Sequence, residues 1–166
     1  MITTAGRPGV LGRAAARGAA AGLLGVAVMT AGEKLEQAVT HRPNSYVPAR
    51  TLLTLLGRHP GDADRPVGWN HVMHWGTGAA LGALRGVWAA VGLRGPRAHL
   101  AHTVVRLSFD QTLENSTGCG APPRTWPARE RAWDVAHKAI YSVATGLLAE
   151  RFVPASLESR RGTHSH

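Results

Sequence analysis

Eight ionisable residues lie near the ends of four apolar stretches that have helix-forming composition. In chain order they close the first stretch, open the second, close the third and open the fourth: Glu33, Glu36, His71, His74, Asp110, Glu114, Asp134 and His137. If four consecutive helices run up, down, up and down, all of these ends meet at one end of the bundle. Carboxylates and imidazoles held together there could exchange protons, coordinate a metal ion or pair with neighbouring cations. This end is therefore the predicted functional site.

Three further polar residues belong to the predicted cluster, namely Arg85, Arg106 and Tyr141. Arg106 precedes Asp110 by four residues, a spacing that favours an ion pair on one helix face. Arg85 shares a helical stripe with His74 and is expected to face the same bundle interior.

The sequence leaves three interpretations of this cluster open. In the first, its members only hold the helices together through hydrogen bonds and ion pairs. In the second, clustered His and carboxylate groups titrate near neutral pH and handle protons or ions. In the third, a soluble or membrane bundle binds one or two divalent metal ions through Glu33, Glu36, His71, His74, Asp110, Asp134 and His137. The Asp134-x-x-His137 pair is the one near match to the Glu-x-x-His signature of such bundles.

Motifs for catalysis are missing from the sequence. There is no nucleophile constellation, phosphate-binding loop or dinucleotide motif, and Gly76-x-Gly78 lies within a helical stretch rather than after a strand. Cys119 is the only cysteine, which excludes an intrachain disulfide and a cysteine-based metal site. These observations favour a protein that is not an enzyme, with no predicted cofactor other than a divalent metal ion.

The second apolar stretch is the clearest sequence candidate for a membrane span. No Asp, Glu, Lys or Arg occurs from Pro66 to Leu84, and a run of this length can cross a bilayer. Trp69 and Trp88 bracket the stretch, as aromatic residues do at membrane interfaces. We therefore expect a transmembrane protein, with a water-soluble four-helix protein as the structural rival.

The net charge of +9 does not indicate a nucleic-acid partner. The arginines are scattered singly through tails and loops, and there is no dense basic run or nucleic-acid motif. Attraction to anionic lipid headgroups explains the same charge, so the predicted partner is the lipid bilayer. A mean hydropathy of −0.10 is low for a membrane protein and argues against this prediction.

The predicted fold is an all-α, four-helix, up-down-up-down bundle in a single domain over residues 14–153. The four helices are expected at residues 14–39, 67–93, 96–117 and 132–152, and Pro-rich segments separate the first from the second and the third from the fourth. A short amphipathic helix is expected at residues 49–56, between the first and second helices. Flexible tails are expected at residues 1–13 and 154–166.

The third stretch decides between a membrane and a soluble bundle. His99, His102, Arg106 and Asp110 form a single helical stripe. In a membrane this stripe must face the bundle interior, whereas in a soluble protein it would be the solvated face. His99 and His102 themselves are expected to be solvated.

Small residues recur every four positions in the first two stretches. They are Gly18, Gly22, Gly78, Gly82 and Gly86. In membranes, small residues at this spacing let helix backbones approach closely. We expect these faces to pack helices together and to offer a contact for a homo-oligomer.

The run from Val67 to Leu84, VGWNHVMHWGTGAALGAL, resembles the second helix of the YagU-like family of small bacterial inner-membrane proteins. The helix end at Asp110, the double proline at 122–123 and the His137-x3-Tyr141 segment resemble the later part of that family. The resemblance covers about residues 17–152. It implies a polytopic protein of the bacterial inner membrane with about four helices and no settled biochemical activity. The chain departs from the family at Arg85, where an aromatic residue is expected, and in a more charged third helix.

Overall fold

The structure is a computed structural model that describes residues 7–157. Five α-helices and one short 3-10 turn make up the regular structure, and no strand occurs within the described range. The helices are α1 (Arg7–Thr40), α2 (Val47–Leu55), α3 (Val67–Ala90), α4 (Gly95–Ser116) and α5 (Ala128–Phe152), and the 3-10 turn is Pro123–Thr125. The predicted all-helical class is confirmed.

The first helix is longer than predicted. It begins at Arg7, so residues 7–13 are helical. The expectation of a flexible tail over these residues is therefore corrected. Pro8 does not prevent this start, because it occupies the first turn, where a missing backbone N–H breaks no helical hydrogen bond. Residues 1–6 and 158–166, the outer parts of the two predicted tails, lie outside the described range.

Local breaks set the other helix bounds. After α1, His41 adopts a positive φ of 56°, and the chain turns towards α2. Between α3 and α4, Gly92 and Gly95 have φ values of 90° and 77°, which an L side chain adopts only with strain. This tight turn makes α3 and α4 run in opposite directions.

The four long helices form an antiparallel bundle. The α1 helix packs along both α3 and α5, and α5 also contacts α3 and α4. Gly18 meets Gly86 while Gly22 meets Gly78, so α1 and α3 run antiparallel. The short α2 helix lies against α3 and reaches α4.

The glycine faces are used inside one chain. A Cβ atom added at Gly18 would lie 2.6 Å from Cα of Gly86, and one added at Gly22 would lie 2.8 Å from Cα of Gly82. The backbones of α1 and α3 are therefore in direct contact. The helix-packing role expected of Gly18, Gly22, Gly78, Gly82 and Gly86 is thus seen within one chain, and a homo-oligomer contact through these faces stays a prediction.

The polar stripe of α4 faces the bundle interior. His102 is 0% exposed and Arg106 is 4% exposed, whereas Leu100 and Val104 on the opposite side are 68% and 54% exposed. His99 is buried as well. The expectation that His99 and His102 are solvated was wrong, because the helix turns its polar side inward and its apolar side outward.

Length and composition single out a different span from the one expected. Among the described residues, one helix, Pro8–Thr40, is long and apolar enough to cross a membrane, with a mean hydropathy of 1.4 over an 18-residue window. This is weak support, since the core helix of a soluble protein or a signal sequence meets the same criteria. The α3 helix, expected to be the clearest span, does not meet them. It has no charge before Arg85, but Asn70, His71 and His74 lower its hydropathy.

Candidate functional site

An open cavity of about 540 Å³ lies where α1 and α4 end and where α3 and α5 begin. Seven of the eight ionisable residues named first in the sequence line it: Glu33, His71, His74, Asp110, Glu114, Asp134 and His137. The α1–α2 loop adds Arg42 and Asn44, and the segment before α5 adds Trp126. The structure thus brings together side chains from all five α-helices around one end of the bundle.

An ion-pair network joins α4 and α5 in the cavity wall. Arg106 Nε donates a hydrogen bond to Asp110 Oδ2 at 3.0 Å, which is the local pair expected from the sequence. Lys138 Nζ donates to Asp134 Oδ1 at 2.6 Å and lies 3.5 Å from Asp110 Oδ2. Asp134 is therefore paired with Lys138. Two carboxylates and two cations neutralise one another here, as buried charges require.

Glu36 lies behind the cavity wall and anchors the loop that follows α1. Its buried carboxylate accepts hydrogen bonds from Arg42 Nη2 at 2.9 Å and from Thr40 Oγ1 at 2.6 Å. The hydrogen bond with Glu36 raises the pKa of Arg42 above its usual value, although partial burial of the guanidinium opposes the shift. This pair holds Arg42 and its loop against the bundle.

The three imidazoles of the cavity have different surroundings. His71 is exposed, and His74 Nε2 lies 3.1 Å from Thr30 Oγ1 on α1. His137 is buried, and its ring stacks on that of Trp133 with centroids 5.8 Å apart and an interplanar angle of 18°.

The predicted metal ligands do not assemble into a metal centre. Within residues 7–157, no three His, Cys, Asp or Glu side chains stand close enough to hold one ion. Asp110 and Asp134 are paired with Arg106 and Lys138, so cations of the protein already occupy these carboxylates. The structure therefore does not favour the metal-binding interpretation.

Tyr141 lies deeper in the bundle than the cavity. Its hydroxyl donates a hydrogen bond to the carbonyl oxygen of Gly78 at 2.7 Å, and the guanidinium of Arg106 lies 4.9 Å from its ring centroid. His102 continues this polar interior, with Nε2 3.1 Å from the carbonyl oxygen of Leu81. The ring centroids of His102 and Tyr141 are 5.6 Å apart.

Arg85 does not join the cavity cluster, which corrects the prediction. It is fully buried at the opposite end of the bundle, where it forms an ion pair with Glu150 and donates to the carbonyl oxygen of Leu93 at 3.1 Å. Glu150 also accepts a hydrogen bond from the backbone N–H of Gly95 at 2.8 Å. Arg85 shares a stripe with His74, but eleven residues of helix place it about 16 Å further along the axis. This distal cluster ties the α3–α4 turn to α5.

Sequence reasoning missed two partners that complete these networks. Lys138 follows Asp134 by four residues, a spacing that indicates a helical ion pair and could have identified it. Glu150 is the first charged residue after the uncharged run that ends at Ala149. That position alone does not reveal that its partner is Arg85 on another helix.

No protein-family model, curated protein or solved structure matches the chain. The similarity of residues 67–84 to the YagU-like family therefore stays a resemblance of short motifs.

Proposed function

We propose that this chain is an integral protein of the bacterial inner membrane and that its charged cavity handles protons or ions from one side of the bilayer. The single observation that carries the proposal is the reversed polarity of the bundle. Charged and polar side chains such as Arg85, His102 and Arg106 are buried beside the apolar core residues, and many large apolar side chains are exposed on the outward faces.

The outward faces suit lipid better than water. Leu24 on α1, Leu100 on α4 and Leu147 on α5 are 47%, 68% and 58% exposed. In water, each such side chain that stays exposed lacks the roughly 1.5–3 kcal/mol of stabilisation that its burial would contribute. In a bilayer they are solvated by lipid tails, and the polar groups gain from meeting one another inside the bundle.

Reversed polarity also explains why average hydropathy is low. Most of the buried residues of α4 and α5 are polar, so a mean over the whole helix counts residues that would never contact lipid. Arg106 and Lys138, both under 10% exposed, lower the averages of these two helices. Hydropathy restricted to the outward residues describes the lipid-facing surface more directly.

Proton or ion handling is assigned to the cavity rather than to the distal cluster. The Arg85–Glu150 pair is enclosed by protein and holds a turn, which is a structural task. Exposed His71 and buried His137 both line the cavity, so imidazoles lie at its opening and in its interior. Imidazoles are the side chains whose charge changes most readily near neutral pH.

Membrane integration is tested by fractionating the expressed protein and washing the membranes with alkaline carbonate. We expect the full chain to stay in the washed membrane. Release into the soluble fraction would refute the membrane part of the proposal.

Proton handling is tested by tryptophan fluorescence between about pH 5 and 8. Because Trp133 stacks on His137, a change in the charge of the imidazole should alter its emission. The response should weaken in His137→Gln and persist in His59→Gln, since His59 is exposed and does not line the cavity. A flat response in the unsubstituted protein would contradict the proposal.

A further inference from the structure

Charge is graded along the cavity from its inner end to its mouth. On α4, Arg106 lies eight residues before Glu114, and on α5, Lys138 lies eight residues after Glu130. All four residues line the cavity. Because α4 and α5 run in opposite directions, both helices place the cation about 12 Å deeper than the carboxylate.

The inner end contains a buried donor without a protein partner. Arg106 is 4% exposed, and its Nε donates to Asp110, but its Nη1 is buried and has no hydrogen-bond partner among the described residues. A guanidinium nitrogen can only donate, so this atom needs an acceptor oxygen. An unpaired buried donor is costly, so a ligand oxygen or a water molecule that accepts a hydrogen bond from this atom would be stabilised there.

The mouth contains carboxylates in excess of free cations. Glu114 and Glu130 have no ion-pair partner within residues 7–157. Arg42 is held by Glu36, and Lys34 is bonded to Asn44. Lys34 keeps its charge in bonds to the neutral amides of Gln37 and Asn44, so a positively charged group at the mouth would meet two carboxylates without an ion-pair partner and one such cation.

We propose that the cavity binds a small amino carboxylate, with its carboxylate on Arg106 at the inner end and its ammonium on Glu114 and Glu130 at the mouth. The volume of about 540 Å³ is in the range of small-molecule sites. Trp75 and Trp126 line the same cavity and supply apolar faces for the carbon chain between the two charges. This inference deepens the proposed function and rests on it, because it names the charged solute that the cavity takes up.

Binding is tested by calorimetry on the full chain in detergent with three probes of equal chain length. They are 6-aminohexanoate, hexanoate, which lacks the ammonium, and hexylamine, which lacks the carboxylate. We expect 6-aminohexanoate to bind roughly tenfold or more tightly than either singly charged probe, because each of those loses one charge-assisted contact. Equal affinity for 6-aminohexanoate and hexylamine, or no heat from 6-aminohexanoate, would overturn the inference.

Two variants assign the ends of the ligand. Arg106→Gln should remove the preference for 6-aminohexanoate over hexylamine, and Glu114→Gln should reduce its preference over hexanoate. Glu114 is partly exposed, so its variant keeps the test informative if Arg106→Gln does not fold. Arg58→Gln, on an exposed loop outside the cavity, is the matched control and should bind like the unsubstituted protein. Unchanged preferences in both cavity variants would contradict the assignment.

The two proposals fail separately. A protein that stays in carbonate-washed membranes and shows the pH response but does not bind 6-aminohexanoate would overturn the ligand inference alone. A protein that is released by carbonate and still prefers 6-aminohexanoate would overturn the membrane proposal and support the ligand site.

Discussion

Replacing Gly82 by Ala tests the close backbone contact between α1 and α3. Gly82 lies on the face of α3 that meets α1, and an added Cβ atom would lie 2.8 Å from the backbone nitrogen of Gly22. Backbone atoms cannot rotate away as the tip of a side chain can, so the two helices must separate. Gly76 on the same helix is the matched control, since an added Cβ there meets nothing within 4 Å.

Only the Gly82 substitution should destabilise the protein. Forcing an extra carbon into a packed contact costs typically 1–3 kcal/mol, and the backbone contact here puts Gly82→Ala near the upper end. Ala gains about 1 kcal/mol over Gly in helix propensity, which leaves a net loss of about 2 kcal/mol. Gly76→Ala gains helix propensity and introduces no clash. Its free energy of unfolding should therefore be unchanged or raised by up to about 1 kcal/mol.

The assay is denaturant unfolding of the purified chain in detergent, followed by far-ultraviolet circular dichroism. Gly82→Ala should unfold at lower denaturant than the unsubstituted protein, and Gly76→Ala at the same or higher denaturant. Equal midpoints for the two variants would refute the direct contact between α1 and α3. A change of oligomeric state in Gly82→Ala alone would show instead that the face joins two copies.

Three further substitutions and one control test the interior and the outer surface. Glu150→Ala should lower the free energy of unfolding by about 3–5 kcal/mol, because it leaves the fully buried Arg85 without its carboxylate partner. An unchanged midpoint of denaturant unfolding would contradict the ion pair. Tyr141→Phe should cost about 1 kcal/mol through loss of its hydroxyl bond to a backbone carbonyl of α3, and denaturant unfolding measures this. Val104→Asp on the outward face of α4 should reduce the amount of protein retained in membranes, since a carboxylate there costs about 2.5–3.5 kcal/mol on insertion. Ala128→Asp, in the exposed first turn of α5, should be retained normally, and equal retention of both Asp variants would argue against contact of α4 with lipid.

The helices themselves were largely predictable from local signals. Pro66 precedes α3, and Pro154 follows the end of α5 at Phe152. The predicted bounds therefore agree with the structure to within a few residues for α2 to α5. The start of α1 was missed because Gly and Pro near Arg7 suggested a tail, whereas Pro is acceptable in a first helical turn.

The convergence of ionisable residues at one end also follows from the sequence. Four consecutive helices joined by turns alternate in direction, so the end of the first and the start of the second must be neighbours. Glu33 and His74 are brought to one cavity for this reason. Arg85 was misplaced because a shared stripe specifies a direction around the helix axis and says nothing of the distance along it.

The sequence by itself determined the number of helices, their order and the end of the bundle at which the ionisable residues gather, because these depend on residue spacing and chain direction. Only the tertiary structure decided that the polar side of α4 faces inward, since a stripe such as His102 and Arg106 has the same pattern whether it meets water or protein. The tertiary structure also decided that Lys138 pairs with Asp110 on α4 and that Glu150 pairs with Arg85 on α3. Their pairing depends on how neighbouring helices rotate and cross, and no single helix carries that information.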